Sequence, residues 1–273
     1  MSLFEHLAIR RAAMKHLAVP DLMALLPQRL QVTLTADAVF LQSQDWRGRV
    51  EKKTQRLALP PQETGLPSWR PWIQAIQSWL SAQSGRYVLQ IRISDRFVRY
   101  QHLPWRPGII GLRERKAYAG HRFREVYGDL AGPWHIALSD TVPGNASVAC
   151  AIDTDLLAAL RDLGPRVQVA SVQPMFAHAY NQVRHQCKGK RFWFAHIEPG
   201  RVCLALLKNG QGAGIRNEAS DQDWPQAVAA IQRRLQLAEA TDESPAPLYV
   251  RGDLQGVVAP KLLGGHPLHI LNA

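Results

Sequence analysis

Apolar and polar residues alternate through Leu30, Val32 and Leu34 and again through Val39 and Leu41, with a tight turn at Thr35–Asp37 between them. Period two is the mark of a half-buried strand, so this stretch predicts a hairpin. Residues 49–60, RVEKKTQRLALP, predict a third strand whose charges would discourage edge pairing. The period then changes. Trp72, Ile73, Ile76, Trp79 and Leu80 recur at three- and four-residue spacing, which predicts an amphipathic helix over 69–83. Ser68 is placed to cap it, Pro71 falls in its first turn and Gly85 closes it. Tyr87–Ile93 returns to period two, with Leu89, Ile91 and Ile93 on the buried face, and 96–103 predicts a further strand.

After the exit LPWRPG (103–108), residues 109–127 read as a helix with Ile109, Leu112, Ala119, Phe123 and Val126 as its apolar stripe. Strands follow at 133–140 and 147–153, then a helix capped by Asp153 and broken at Gly164-Pro165. VQVASVQP is a strand, and Pro174 opens another helix. Residues 191–219 form a three-stranded meander with turns at Pro199-Gly200 and Asn209-Gly210. A helix over 223–239, capped by Asp221 or Asp223, precedes the strand APLYVRG, a short helix and a final strand, PLHILN. Strand-strand-strand-helix-strand has then occurred twice, as a repeat of architecture rather than of residue identity. Ahead of all this, residues 2–18 read as a basic amphipathic helix ending at Pro20.

Length changes this picture little, since 273 residues can bury a sizeable core. Charge changes it more: a net +11 with a pI near 10.0 implies an anionic partner, whether nucleic acid, membrane surface or acidic protein. Cys150, Cys187 and Cys203 have no CxxC spacing, and two of them sit in apolar strands, so they read as free buried thiols. No apolar run is long enough to span a membrane, and charges interrupt any leader-like core at the N-terminus; the expectation is a cytoplasmic protein.

The positive charge concentrates in Tyr87–Arg124, where Asp95 and Glu114 are the only acids. Two uses compete. Arginines interleaved with Tyr100, His102 and Trp105 suit a nucleic-acid surface, by phosphate neutralisation and base stacking. A protein-docking surface would instead use Arg99, Trp105, Arg113, Lys116 and Arg122. Catalytic constellations are missing from the pattern. A ribonuclease-H-type nuclease needs carboxylates at strand ends, and LQVTLT has none. His121, His178, His185 and His196 lack an HExxH spacing or a serine partner, so no catalytic, cofactor or metal residue is predicted.

Four stretches carry a resemblance: LQVTLTADAVFLQ; ISDRFVRYQHLPW; ACAIDTDLLAALRDLG with VQVASVQPMFAHAYNQ; and FWFAHIEPGRVCLALLKNG. A duplicated unit with these features resembles the actin-like ATPase superfamily, and within it PilM-type proteins of type IV pilus platforms and the cytoplasmic part of GspL of type II secretion. The resemblance implies an α/β fold of two ribonuclease-H/actin-like units, mixed sheets flanked by helices, with a small α+β insertion in the first. It divides the chain into an N-terminal helical segment (1–29), a first half (30–186) with its insertion at about 106–150, and a reduced second half (187–273). Nucleotide-binding members carry Asp-x-Gly in two phosphate hairpins. Here the matching positions hold Thr33 and Thr35, with Phe40 near the usual Lys, and then His196 and Glu198; the late Gly-rich turn is reduced to Arg251-Gly252-Asp253. The resemblance therefore implies a scaffold without ATPase activity or cofactor. It would hold the cytoplasmic tail of a PilN-like bitopic protein, with an assembly ATPase or another copy as further partners, at the periphery of the inner membrane. Leu25–Arg29, LLPQR, looks like the Leu-Leu-Pro-x-Arg stretch of PilN-like tails, though Leu and Pro are common enough here for chance.

Overall fold

The computed structural model describes residues 27–271 apart from 46, 48, 110, 140–143, 240–244, 255–261 and 264. The helix expected over 2–18, Leu25–Leu26 and the short helix expected before the last strand lie outside the described residues. The elements begin with β1 (Gln28–Leu34), β2 (Ala38–Gln44), β3 (Val50–Ala58), α1 (Arg70–Ser81), β4 (Tyr87–Ile93) and β5 (Val98–Leu103). Then come α2 (Leu112–Tyr127), β6 (Trp134–Leu138), β7 (Ser147–Asp153), α3 (Thr154–Arg161), β8 (Val167–Pro174) and α4 (Met175–Val183). Last are β9 (Arg191–Glu198), β10 (Arg201–Lys208), β11 (Gln211–Ala219), α5 (Trp224–Glu239), β12 (Leu248–Gly252), β13 (Leu262–Leu263) and β14 (His266–Ile270).

The chain forms two compact units. One takes the described residues 27–94 together with Asp155–Gln173. Its sheet has the order β3-β2-β1-β4-β8, with β1 antiparallel to β2 and parallel to β4. The charged strand β3 occupies an edge, where the Glu51 and Lys53 side chains oppose pairing with another chain. Alternation explains the core: Leu30, Val32 and Leu34 of β1 and Leu89, Ile91 and Ile93 of β4 are all buried, as are Ile73 and Ile76 of α1. Each such side chain contributes about 1.5–3 kcal/mol on leaving water.

The other unit takes Asp95–Thr154 and the chain from Pro174 onward. It holds a six-stranded sheet, β11-β10-β9-β12-β14-β13, and a three-stranded one, β5-β7-β6. Trp193, Ala195 and Ile197 of β9 pack with Val228 and Ile231 of α5 in the core of the larger sheet. The smaller sheet buries Ala149 and Ala151 beneath Ala119 and Phe123 of α2, and Phe123, Tyr127 and Trp134 interlock edge and face.

Several boundaries differ from the sequence reading. Trp69, not Ser68, stands at the N-cap of α1 and makes no side-chain cap, and the helix is closed at Ala82 rather than Gly85. Gly111 precedes α2, so Ile109 lies outside it. Leu112 and Val126 are 61% and 57% exposed instead of buried. The physical reason is size: a three-stranded sheet covers the middle of a sixteen-residue helix, at Ala119 and Phe123, and not its ends. Ser94 and Asp95, which fall between the two strands expected at Tyr87–Ile93 and 96–103, are 1% and 0% exposed. One glycine is required by geometry. Gly252 has φ +130°, and a Cβ there would stand 2.0 Å from the carbonyl oxygen of Ile197.

Candidate functional site

The hairpin between β1 and β2 is the first of the two positions where phosphate binding would be expected. Thr33 sits opposite Phe40, and the Thr35 hydroxyl donates to Asp37 Oδ1 and to the Ala38 carbonyl, each at 3.1 Å. The Thr35 carbonyl accepts the indole N–H of Trp72 at 2.8 Å. Asp37 is paired outward with Arg56 at 2.9 Å. The turn is thus closed by its own side chains and by α1, without the glycine that would let backbone amides approach a phosphate.

The second position, the end of β9, is the most polar place in a buried region. His196 and Glu198 are both 5% exposed, and Asp95 is fully buried beside them. The Asp95 carboxylate collects three neighbours: the Tyr100 hydroxyl donates to Oδ1 at 2.7 Å, the Phe176 amide donates to Oδ2 at 2.9 Å, and His196 Nδ1 lies 3.1 Å from Oδ2. Phe176 is in the first turn of α4, whose N-cap, Pro174, offers no side-chain acceptor. Asp95 therefore caps that helix from 81 residues away, at the end where the helix dipole favours an anion. Glu198 in turn accepts the Asp95 amide at 2.8 Å. Asn217 donates from Nδ2 to the carbonyls of Asp95 and Val98, at 2.7 and 2.9 Å.

Asp95, His196 and Glu198 bring their ligand atoms within 4.8 Å of one another, close enough in principle for one cation. The sequence reading placed His196 and Glu198 at the second phosphate position but did not bring Asp95 to them. Both Asp95 oxygens already receive protein donors, and burial of such groups is sustained by those hydrogen bonds. The network also shapes its surroundings. Burial, and then the Asp95 charge, push the Tyr100 hydroxyl well above its usual 10.0. Burial and Asp95 likewise raise Cys150 to about 12, and Cys203 moves well above 9.0.

The five residues expected to dock a partner are spread over two recesses and the exposed side of α2. Arg99 and Arg122 are half-buried and line a groove of about 540 Å³ between β5, β11, α2 and α5. Trp105 lines a separate, smaller recess with Arg106, Arg115 and Tyr118. Arg113 and Lys116 are exposed on α2 and line neither. Arg106 stacks its guanidinium 5.2 Å from the Tyr118 ring, and Arg122 is paired with Glu125. Tyr100 is buried with its hydroxyl on Asp95, which removes one aromatic from any base-stacking set. Arg216, on β11, completes the groove's charge and was not singled out by the sequence, since it lies 92 residues beyond the basic stretch that ends at Arg124.

No family model matches the chain, and no curated protein matches it. Solved structures do. The PilM-PilN type IV pilus biogenesis complex aligns with a TM-score of 0.58 and 17% identity, over 89% of this chain and 88% of that one. The cytoplasmic domain of EpsL, an inner-membrane component of the type II secretion system of Vibrio cholerae, gives 0.55 and 10% over 90% of each. A Bacteroides thetaiotaomicron protein with an actin-like ATPase fold and unknown function gives 0.55 and 11%, over 88% and 87%. The fold is therefore actin-like, α/β with mixed sheets flanked by helices.

Proposed function

We propose that this actin-like chain is a non-catalytic docking protein of a type IV pilus or type II secretion assembly platform, holding the cytoplasmic tail of a PilN-like membrane protein. One observation carries it above others: the two hairpin positions where an actin-like ATPase would grip phosphate are occupied by internal contacts. Thr35 is closed onto Asp37, Ala38 and Trp72, and Glu198 is bound to the Asp95 amide. A carboxylate that caps a backbone amide in a buried site is poorly placed to hold a hydrated metal–nucleotide complex. The likeness to the PilM-PilN complex and to the EpsL cytoplasmic domain supports the platform reading. Among the described residues no helix is long and apolar enough to cross a membrane, so attachment would come through the partner or through the positively charged surface.

The test has two arms. Titration calorimetry with the synthetic cytoplasmic tail of the platform's bitopic protein should show saturable binding. Thermal unfolding with and without MgATP should give the same midpoint. A midpoint raised by MgATP would overturn the non-catalytic reading. Lack of binding to any platform tail would overturn the docking one. A short oligonucleotide serves as the control for the nucleic-acid alternative, whose affinity would fall steeply with salt.

A further inference from the structure

The floor of the groove of about 540 Å³ is the seam between two strands, and this decides what fits it. The free edges of β5 and β11 lie against each other. On β11 the Asn217 side-chain amide donates to the Val98 carbonyl of β5 at 2.9 Å. Further along, a Cβ on Gly212 would stand 2.4 Å from Val148 Cγ2, on the strand that pairs with β5. The outer edges are taken as well, that of β5 by β7 and that of β11 by β10. A segment laid in the groove therefore finds no main-chain edge to pair with and is held by side chains alone.

Cross-strand partners share a face, and this identifies the side chains on the floor. Arg99 and Gln101 stand opposite Ala151 and Ala149, which lie beneath α2. Arg216 and Glu218 stand opposite Leu204 and Val202, which pack with α5. Arg122, Val126 and Tyr127 of α2 form one wall, and Leu235 of α5 lines the other. The charge is one-sided. Among the described contacts, the Arg99 guanidinium bonds only main-chain carbonyls, those of Arg96 and Val98 at 3.0 and 3.2 Å, and the exposed Arg216 has no ion pair. Arg122 is paired with Glu125 through Nη1, but its Nε is buried with no hydrogen-bond partner. The one acid in the lining, Glu218, is already paired with Arg234. The exposed Val126 adds an apolar rim.

We infer that the groove takes an acidic amphipathic helix of a protein partner, lying between α2 and α5 with carboxylates toward Arg99, Arg122 and Arg216 and an apolar residue against Val126. A helix satisfies its own main-chain donors and acceptors, so it needs no strand edge. Its side chains at i, i+3 and i+4 share a face and offer acids and an apolar anchor together. α2 and α5 already cover the two sheets, and the occupant fills the seam left open between them in the same layer. The inference rests on the docking reading for its partner being a protein, and it names the surface and the shape and charge of the segment.

Fluorescence polarisation tests it with a labelled alanine-based peptide of about 18 residues, long enough to form a helix, whose Glu and Leu recur at three- and four-residue spacing. The intact protein should bind this peptide and not its counterpart with Lys for Glu. One proline at the peptide's centre, which breaks the helix, should weaken binding at least about tenfold. Arg99→Glu with Arg216→Glu should do the same. Arg113→Glu with Lys116→Glu makes an equal change in net charge outside the groove and should leave binding within about twofold. Should the first double variant unfold, Arg216→Glu and Val126→Asp, each at an exposed position, give the same readout. Unchanged binding by the proline peptide or by Arg216→Glu overturns the inference, as does equal affinity for an oligonucleotide of matched charge. A platform tail that binds the groove variants as well as it binds the unaltered chain would sink the groove and leave the docking function standing. Acidic-helix binding confined to the groove, with no platform tail bound, would do the reverse.

Discussion

The Glu198 carboxylate accepts a hydrogen bond from the main-chain amide of Asp95 at 2.8 Å, across 103 residues of sequence, with both residues buried. The contact ties the end of β9 to the start of β5, and through Asp95 it reaches the first turn of α4.

Removing Glu198 leaves that amide buried without its acceptor. Glu198→Ala should therefore cost about 2–3 kcal/mol, whereas Glu198→Gln, which keeps an acceptor oxygen, should cost about half as much. Urea unfolding followed by tryptophan fluorescence measures both. Equal losses for the two variants would mean that the charge, not the amide bond, matters.

Gly252 offers a test of close approach. A Cβ at this position meets Ile197 O at 2.0 Å and forces β12 away from β9, so Gly252→Ala should cost about 3 kcal/mol or more. Gly65 also has a positive φ, +84°, but a Cβ there would meet nothing within 4 Å, so Gly65→Ala should cost only about 1–2 kcal/mol. Thermal melts that rank the two equally would contradict the contact argument.

His266 gives a pH dependence. It is 3% exposed, with Nδ1 2.9 Å from the Ala246 amide nitrogen and 3.0 Å from its carbonyl oxygen. Burial holds its pKa below 6.5; the Ala246 carbonyl acts against this and the Arg191 charge adds to it. Because the folded pKa is the lower one, the unfolded chain binds the proton first. The stabilisation is complete above pH 6.5 and is lost as pH falls toward the folded value, at up to about 1.4 kcal/mol per pH unit. Subtracting the stability–pH curve of His266→Gln from that of the unaltered chain should isolate this slope. A difference that stays flat between pH 7 and 5 would refute it.

The thiols make a fourth case. Cys150 and Cys203 are buried, Cys187 is half-exposed, and burial lifts Cys187 to about 11. A thiolate-selective reagent at pH 7.5 should modify Cys187 slowly and the other two only after denaturant is added. Rapid modification of Cys150 or Cys203 in the native protein would show that their strands open readily.

The strands and helices were legible because burial writes a period into the chain. Leu89, Ile91 and Ile93 alternate, and the same alternation is found buried on β4. Helix ends were less legible because Ser68, a good capping residue by type, is simply not where α1 starts. The buried cluster was legible only in part: His196 and Glu198 stood out at the second phosphate position, and Asp95 did not join them. Asp95 and His196 are separated by 101 residues, and nothing in RISDRF or FAHIEP marks one as the other's neighbour. The groove was half visible: Arg99 and Arg122 lie in the basic stretch, while Arg216 reaches them only through the edge position of β11.

The place of β8 has a consequence for synthesis. It is the neighbour of β4 at the end of its sheet, yet the chain makes β4 by residue 93 and reaches β8 only at residue 167. At about 5–20 residues per second, the nascent chain waits roughly 4–15 s with the edge of β4 unpaired. During that interval a regular strand with a buried apolar face, Leu89, Ile91 and Ile93, stands open to other chains. A ribosome stall or a truncation between residues 94 and 166 would make that exposure permanent, so such fragments should enter aggregates or chaperone complexes while the full chain remains in solution.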